Sequence, residues 1–235
     1  MTASVVSKET LKRVISDITD LVKHPLHDNG IYYEHDEENM LNGYVLIIPQ
    51  GNSPYQHGYY FFTVQFPTNY PYSPPKMKYL TNNGHTRFHP NLYRSGKVCL
   101  SLLNTWRGDK WTSCNTLSSI LLHLATLFTV NPLLHEPGIT ESHSDLDNYS
   151  TAIEYDNLET AIYRVITNSL HVNGLGDRFR DIIEQTYAKN KEAILENVKS
   201  KEQISRYVNV PFYKMEESID YKKLYLKLKE YNASL

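Results

Sequence analysis

His89-Pro90-Asn91-Leu92-Tyr93-Arg94-Ser95-Gly96-Lys97-Val98-Cys99-Leu100-Ser101-Leu102 is the segment from which the rest of this chain is read. A cysteine between apolar residues is ordinarily a small hydrophobe of the core. Cys99 instead follows a Gly-Lys turn in a long loop, the kind of exposed backbone where a thiol can meet a large partner. Thiols suit acyl transfer, because a thioester is activated toward amines and the thiolate is a good leaving group. From Asn39 to Gly108 there is no Asp or Glu, while Lys76, Lys78, Arg87, Arg94 and Lys97 are present. Cys99 therefore lies in a mildly electropositive segment, a setting that reactive thiols share. Chemistry that needs paired carboxylates, such as glycoside hydrolysis, has no material here.

Upstream, Leu11, Val14, Ile15, Ile18, Leu21 and Val22 recur at helical spacing behind Ser7, a fit N-cap, and Pro25 stops the helix. Four runs, Ile31–Glu34, Gly43–Ile48, Tyr59–Phe66 and Lys76–Leu80, have strand composition and are separated by Asn/Gly/Pro turns. Strands that follow one another without helices predict an antiparallel meander and an α+β fold. From Thr81 to Ser113 turn formers dominate, too long a connector to be idle. A second helix starts behind Thr116, with Asn131-Pro132 at its end. Apolar stripes at Leu158–Ile166, Phe179–Ile183, Ile194–Val198 and Tyr221–Leu228 predict a helical tail. The boundary expected is residues 1–165 for a core and 166–235 for a helical C-terminal extension.

Composition removes other classes. The 235 residues are 40% apolar and 21% charged, enough for a packed core. No apolar run is long enough for a membrane span and no secretory leader is apparent. A formal charge of −2 argues against nucleic acid as a partner. Two cysteines build no disulfide scaffold, which points to a reducing compartment. The expected location is intracellular, cytoplasmic and/or nuclear. A cysteine hydrolase would need a histidine base from among His89, His123 and His135, and its signatures are absent. His85, His89, Cys99 and Cys114 could ligate zinc, but the cysteines form no Cys-x2-Cys knuckle. Neither phosphate-binding glycine motif occurs.

His89-Pro90-Asn91 followed by Gly96-Lys97-Val98-Cys99-Leu100 resembles the active-site signature of ubiquitin-conjugating enzymes, with the asparagine eight positions before the cysteine. The supporting marks stand in family order. Pro54-Tyr55 with Gly58, Tyr70-Pro71-Tyr72-Ser73-Pro74-Pro75-Lys76, Trp111 and Asn131-Pro132 all match, across roughly residues 7–165. The long spacer Thr105–Trp111 and the extended Asn131–Gly138 are similar to the large subclass with extended active-site loops. The tail, at Leu158–Ala161 and Phe179–Ile182, resembles the Z type.

The resemblance implies a four-stranded meander flanked by an N-terminal helix and C-terminal helices. It implies that Cys99 takes ubiquitin, or a ubiquitin-like protein, from an activating enzyme as a thioester, then yields it to a substrate lysine or a ligase. Asn91 would order the loop and stabilise the oxyanion. Glu136 would be the acidic gate for the lysine, with His135 as a possible helper. Lys12 and Arg13 would meet the activating enzyme, and Tyr72 a ligase, although Thr112-Ser113-Cys114 stands where Ser-Pro-Ala is usual beside it. No metal or cofactor is implied, since ATP is used by the activating enzyme. The rival expectation is a non-catalytic module of the same fold. Cys114 reads as a buried or half-buried filler.

Overall fold

The structure, a computed structural model, describes residues 6–235; residues 1–5, the start of the expected core, lie outside it. Helix α1 (Lys8–Lys23) opens with the Ser7 hydroxyl accepting the Thr10 amide at 3.0 Å. It buries Thr10, Val14, Asp17 and Leu21, one stripe at helical spacing. Two members of the expected apolar stripe face solvent instead, Ile15 at 47% and Val22 at 74% exposure. Buried Asp17 takes the inner position because it has partners there: the Tyr70 hydroxyl and the Leu117 amide donate to it, as does Arg13.

Strands β1 (Ile31–His35), β2 (Asn42–Ile47), β3 (Tyr60–Gln65) and β4 (Lys76–Tyr79) form an antiparallel meander in sequence order. The register pairs Ile31 with Ile47, Val45 with Phe62 and Phe62 with Tyr79. Helix α2 (Leu117–Ala125) begins with a capping box between Thr116 and Ser119 and buries Leu117, Ile120, Leu121 and Leu124. It ends before the expected Asn131-Pro132, which lies at the start of a 3-10 turn, Pro132–His135.

Helix α3 (Leu146–Asp156) has no clear apolar stripe in sequence; its buried face is carried by Tyr149, Ala152, Ile153, Tyr155 and Asp156. It runs into a π-helical segment, Asn157–Tyr163, and α4 (Arg164–Ile166). The wider winding leaves the Ala161 carbonyl to accept the Tyr59 amide at 2.9 Å. Asn157 is wedged at the same junction, accepting from Tyr60 Oη at 2.7 Å, and a Cβ on Gly58 would lie 2.0 Å from its Oδ1.

After α5 (Leu175–Arg178), the Phe179–Ile183 and Ile194–Val198 stripes prove to be one helix, α6 (Arg180–Ser200). The tail is not wholly helical. Strands β5 (Ser205–Val210) and β6 (Met215–Asp220) make a hairpin before α7 (Tyr221–Ala233). Val208 and Val210 are buried in alternation, the period of a strand and not of the helical stripes expected for the tail. The expected boundary at 165/166 falls inside α4, and one apolar cluster runs from Val14 through Phe61 and Phe179 to Leu228.

Candidate active site

The segment around Cys99 closes into a small hairpin. The Cys99 amide donates to the Asn91 carbonyl at 2.9 Å, and Asn91 Nδ2 donates back to the Cys99 carbonyl at 2.7 Å. Leu92 bridges Val98, and the turn closes with the Gly96 amide on the Tyr93 carbonyl. The Tyr79 amide on the Gly96 carbonyl, at 2.8 Å, stitches the turn to β4. Gly96 has φ +86°, and a Cβ there would lie 2.9 Å from the Tyr79 carbonyl oxygen, so glycine is required. On the other side, the Thr105 hydroxyl accepts the Leu100 amide and donates to the Val98 carbonyl, both at 2.9 Å. Thr105 thus clamps the backbone on either side of the cysteine. In sequence it is only the first residue of a long spacer.

These bonds draw Cys99 inward. It is 1% exposed, between buried Val98 and Leu100, where an exposed loop thiol was expected. Cys114 differs from expectation in the opposite sense and is exposed.

His89 is fully buried. Its Nδ1 accepts the Asn91 amide at 3.0 Å, which places the ring proton on Nε2 to donate to His135 Nδ1 at 3.1 Å. Burial, followed by His135 and Arg87, holds His89 well below the usual imidazole range, and burial also lowers His135. Both rings are neutral at pH 7. With both nitrogens engaged, His89 has none left to deprotonate a thiol, which removes one base of the cysteine-hydrolase reading.

The His89–His135 contact carries Glu136 to this loop. Glu136 is half-buried, and its Oε2 accepts from Tyr213 Oη at 2.5 Å. Tyr213 comes from the hairpin turn of the extension, Pro211–Tyr213, and sequence reading gave it no role.

The partner-facing candidates differ in availability. Lys12 is exposed. Arg13 is engaged within the fold: Nε donates to Asp17 Oδ1 at 2.9 Å, Nη1 to the Ser113 carbonyl at 2.6 Å, and Nη2 to the Asn115 carbonyl. Tyr72 is 67% exposed with its hydroxyl on Glu9 at 2.7 Å, which raises its pKa. Trp111 Nε1 donates to the Pro71 carbonyl at 2.7 Å and so braces the loop that presents Tyr72.

The four possible zinc ligands do not converge. Among the described residues the metal-type cluster is His85, Asp156 and Glu217, with ligand atoms within 4.8 Å. Asn83 opposes a cation there. Its Oδ1 accepts the His85 and Thr86 amides at 3.2 and 2.9 Å, so its Nδ2 is fixed as a donor 3.3 Å from Asp156 Oδ1. No described helix is long and apolar enough to cross a membrane.

The family model described as ubiquitin-conjugating enzyme matches residues 11–155. Ubiquitin-conjugating enzyme E2 Z of Xenopus tropicalis is 34% identical over 184 residues, 77% of this chain and 57% of that protein. The Homo sapiens E2 Z is 35% identical over 157 residues, 66% of this chain and 44% of that protein. A human protein named dual E2 ubiquitin-conjugating enzyme/E3 ubiquitin-protein ligase BIRC6 is 38% identical over 134 residues, 3% of its length. This chain spans about half the length of the E2 Z relatives it matches.

Proposed function

Because this chain belongs to the ubiquitin-conjugating enzyme family, we propose that it carries ubiquitin, or a ubiquitin-like protein, as a thioester on Cys99 and transfers it to a lysine or a ligase cysteine. The observation that supports this best is the reciprocal pairing of Asn91 with Cys99, in which the asparagine holds the cysteine's amide by its backbone carbonyl and the cysteine's carbonyl by its side chain.

In the first step the Cys99 thiolate attacks the carbonyl of the activating enzyme's thioester. A C–S bond forms at Cys99 and the other breaks, releasing the activating enzyme's thiolate. In the second, a lysine amine attacks the Cys99 thioester, an amide forms, and Cys99 departs as thiolate. Asn91 has two N–H donors on Nδ2, and among the described residues one is engaged, on the Cys99 carbonyl. The other is free for the oxyanion that develops in each step. Glu136 receives the amine's proton. The chemistry needs no metal or cofactor of its own, since the upstream activating enzyme uses the ATP. Lys12, exposed like Lys8 and Lys23 of the same helix, is a cation available to that enzyme, and Tyr72 is an exposed aromatic available to a ligase. The setting is intracellular, cytoplasmic and/or nuclear, where thiols stay reduced.

The test is a charging assay with activating enzyme, ATP and ubiquitin, read on a non-reducing gel. A thiol-sensitive adduct is expected with the natural chain and none with Cys99→Ala. An adduct that persists in Cys99→Ala refutes the assignment.

A further inference from the structure

We propose that Tyr213 is a positioning residue for transfer, holding the Glu136 carboxylate in place for the incoming lysine, which makes the C-terminal extension a working part of the active site. The inference rests on Glu136 acting in the transfer step, as proposed above.

The stretch from Asn39 to Gly108 has no carboxylate, so a base for the lysine comes from another segment. The fold brings Glu136, whose neighbour His135 is bonded to His89. Glu136 follows a 3-10 turn and precedes Pro137 and Gly138, both exposed, and a glutamate side chain there has rotamers to choose among. Tyr213 Oη removes that choice by donating to Oε2 at 2.5 Å, which leaves Oε1 for an ammonium group.

Tyr213 is itself fixed. Its carbonyl accepts from Arg94 Nη2 at 2.9 Å, its ring lies 5.4 Å from the Arg87 guanidinium, and it packs 5.6 Å from the Tyr149 ring. Arg87 also donates to the His89 carbonyl at 3.1 Å and the Pro90 carbonyl at 2.5 Å, and Arg94 lies in the turn of the Cys99 hairpin. Arg87, which braces the cysteine's loop, and Arg94, which belongs to that loop, therefore both hold the tyrosine that holds the acid. Burial, then Glu136, pushes the phenol well up, so it remains a donor.

The experiment compares the natural chain, Tyr213→Phe, Glu136→Gln and the double variant, each first charged on Cys99 with activating enzyme, ATP and ubiquitin. The chase with free lysine is then followed across lysine concentrations. Tyr213→Phe keeps the ring and removes the donor. Its maximal discharge rate is expected to fall about tenfold with little change in the half-saturating lysine concentration, a loss typical of a hydrogen bond to a charged group. The double variant is expected to be no slower than Glu136→Gln alone. Natural discharge by Tyr213→Phe, or losses that multiply in the double variant, overturn the positioning role. Natural discharge by Glu136→Gln removes Glu136 from the reaction and this inference with it, while charging of Cys99 upholds the thioester reading.

Discussion

Few atoms hold the backbone at Cys99, the proposed thioester position. Its carbonyl and amide are tied to Asn91, and the flanking Val98 carbonyl and Leu100 amide meet on one hydroxyl, that of Thr105. Replacing that hydroxyl with a methyl keeps the side chain's shape and strips both backbone groups of their side-chain partner. Thr105→Val is expected to lower stability by about 1–2 kcal/mol, measured as a shift in urea midpoint at constant m-value. It is also expected to slow charging, since the loop that presents the thiol loses its clamp. An unchanged midpoint would mean that the Thr105 bonds contribute nothing net.

At the scale of elements, strand β6 of the hairpin and the end of α3 hold the loop before Cys99. His85 Nε2 meets Glu217 Oε2 at 2.9 Å, Thr86 Oγ1 donates to Asp156 Oδ2 at 2.5 Å, and the Arg87 amide reaches the Met215 sulfur at 3.4 Å. Burial, then Glu217, pushes Asp156 up from 3.8 to about 7, with Glu159 adding to the rise and Thr86 and His85 opposing it. The bond to Glu217, helped by Asp156 and opposed by burial, raises His85 above 6.5. For both groups the folded state holds a proton that the unfolded chain has already released, so stability falls as pH rises. The Asp156 part is present near pH 4 and lost toward about 7; the His85 part is present below 6.5 and lost above it. The thermal midpoint is therefore expected to be lower at about pH 8 than at about pH 6, with a flatter profile in Asp156→Asn. A profile of equal slope in both proteins would remove the cluster from the pH dependence.

Across the whole molecule, the extension is packed as core. Phe179 is fully buried with its ring 6.2 Å from Phe61, and Tyr59 Oη donates to the Ile183 carbonyl at 3.3 Å. Arg178 reaches across to Glu34 at 3.3 Å and lies 4.4 Å from the Tyr44 ring. Such continuity predicts one cooperative transition in calorimetry for the full chain, with calorimetric and van't Hoff enthalpies equal. Phe179→Ala is expected to cost about 3–5 kcal/mol and to move that single transition as a unit. Two resolved transitions would show that the extension folds separately.

What could be read from the residues alone was local. The Ser7 and Thr116 caps, the four strands and the Asn91-to-Cys99 spacing are short-range patterns, and neighbours along the chain suffice to specify them. The β5–β6 hairpin and α3 were less legible, because short alternating or tyrosine-rich runs carry weak periodicity. The inward turn of Cys99, the neutral His89–His135 pair and the hold of Tyr213 on Glu136 join residues 46 to 77 positions apart or depend on burial. Tertiary packing alone sets these, since burial and long-range hydrogen bonds exist only once distant segments exclude water together. The chain itself singled out Cys99 as the candidate thiol; only the fold determined which groups surround it.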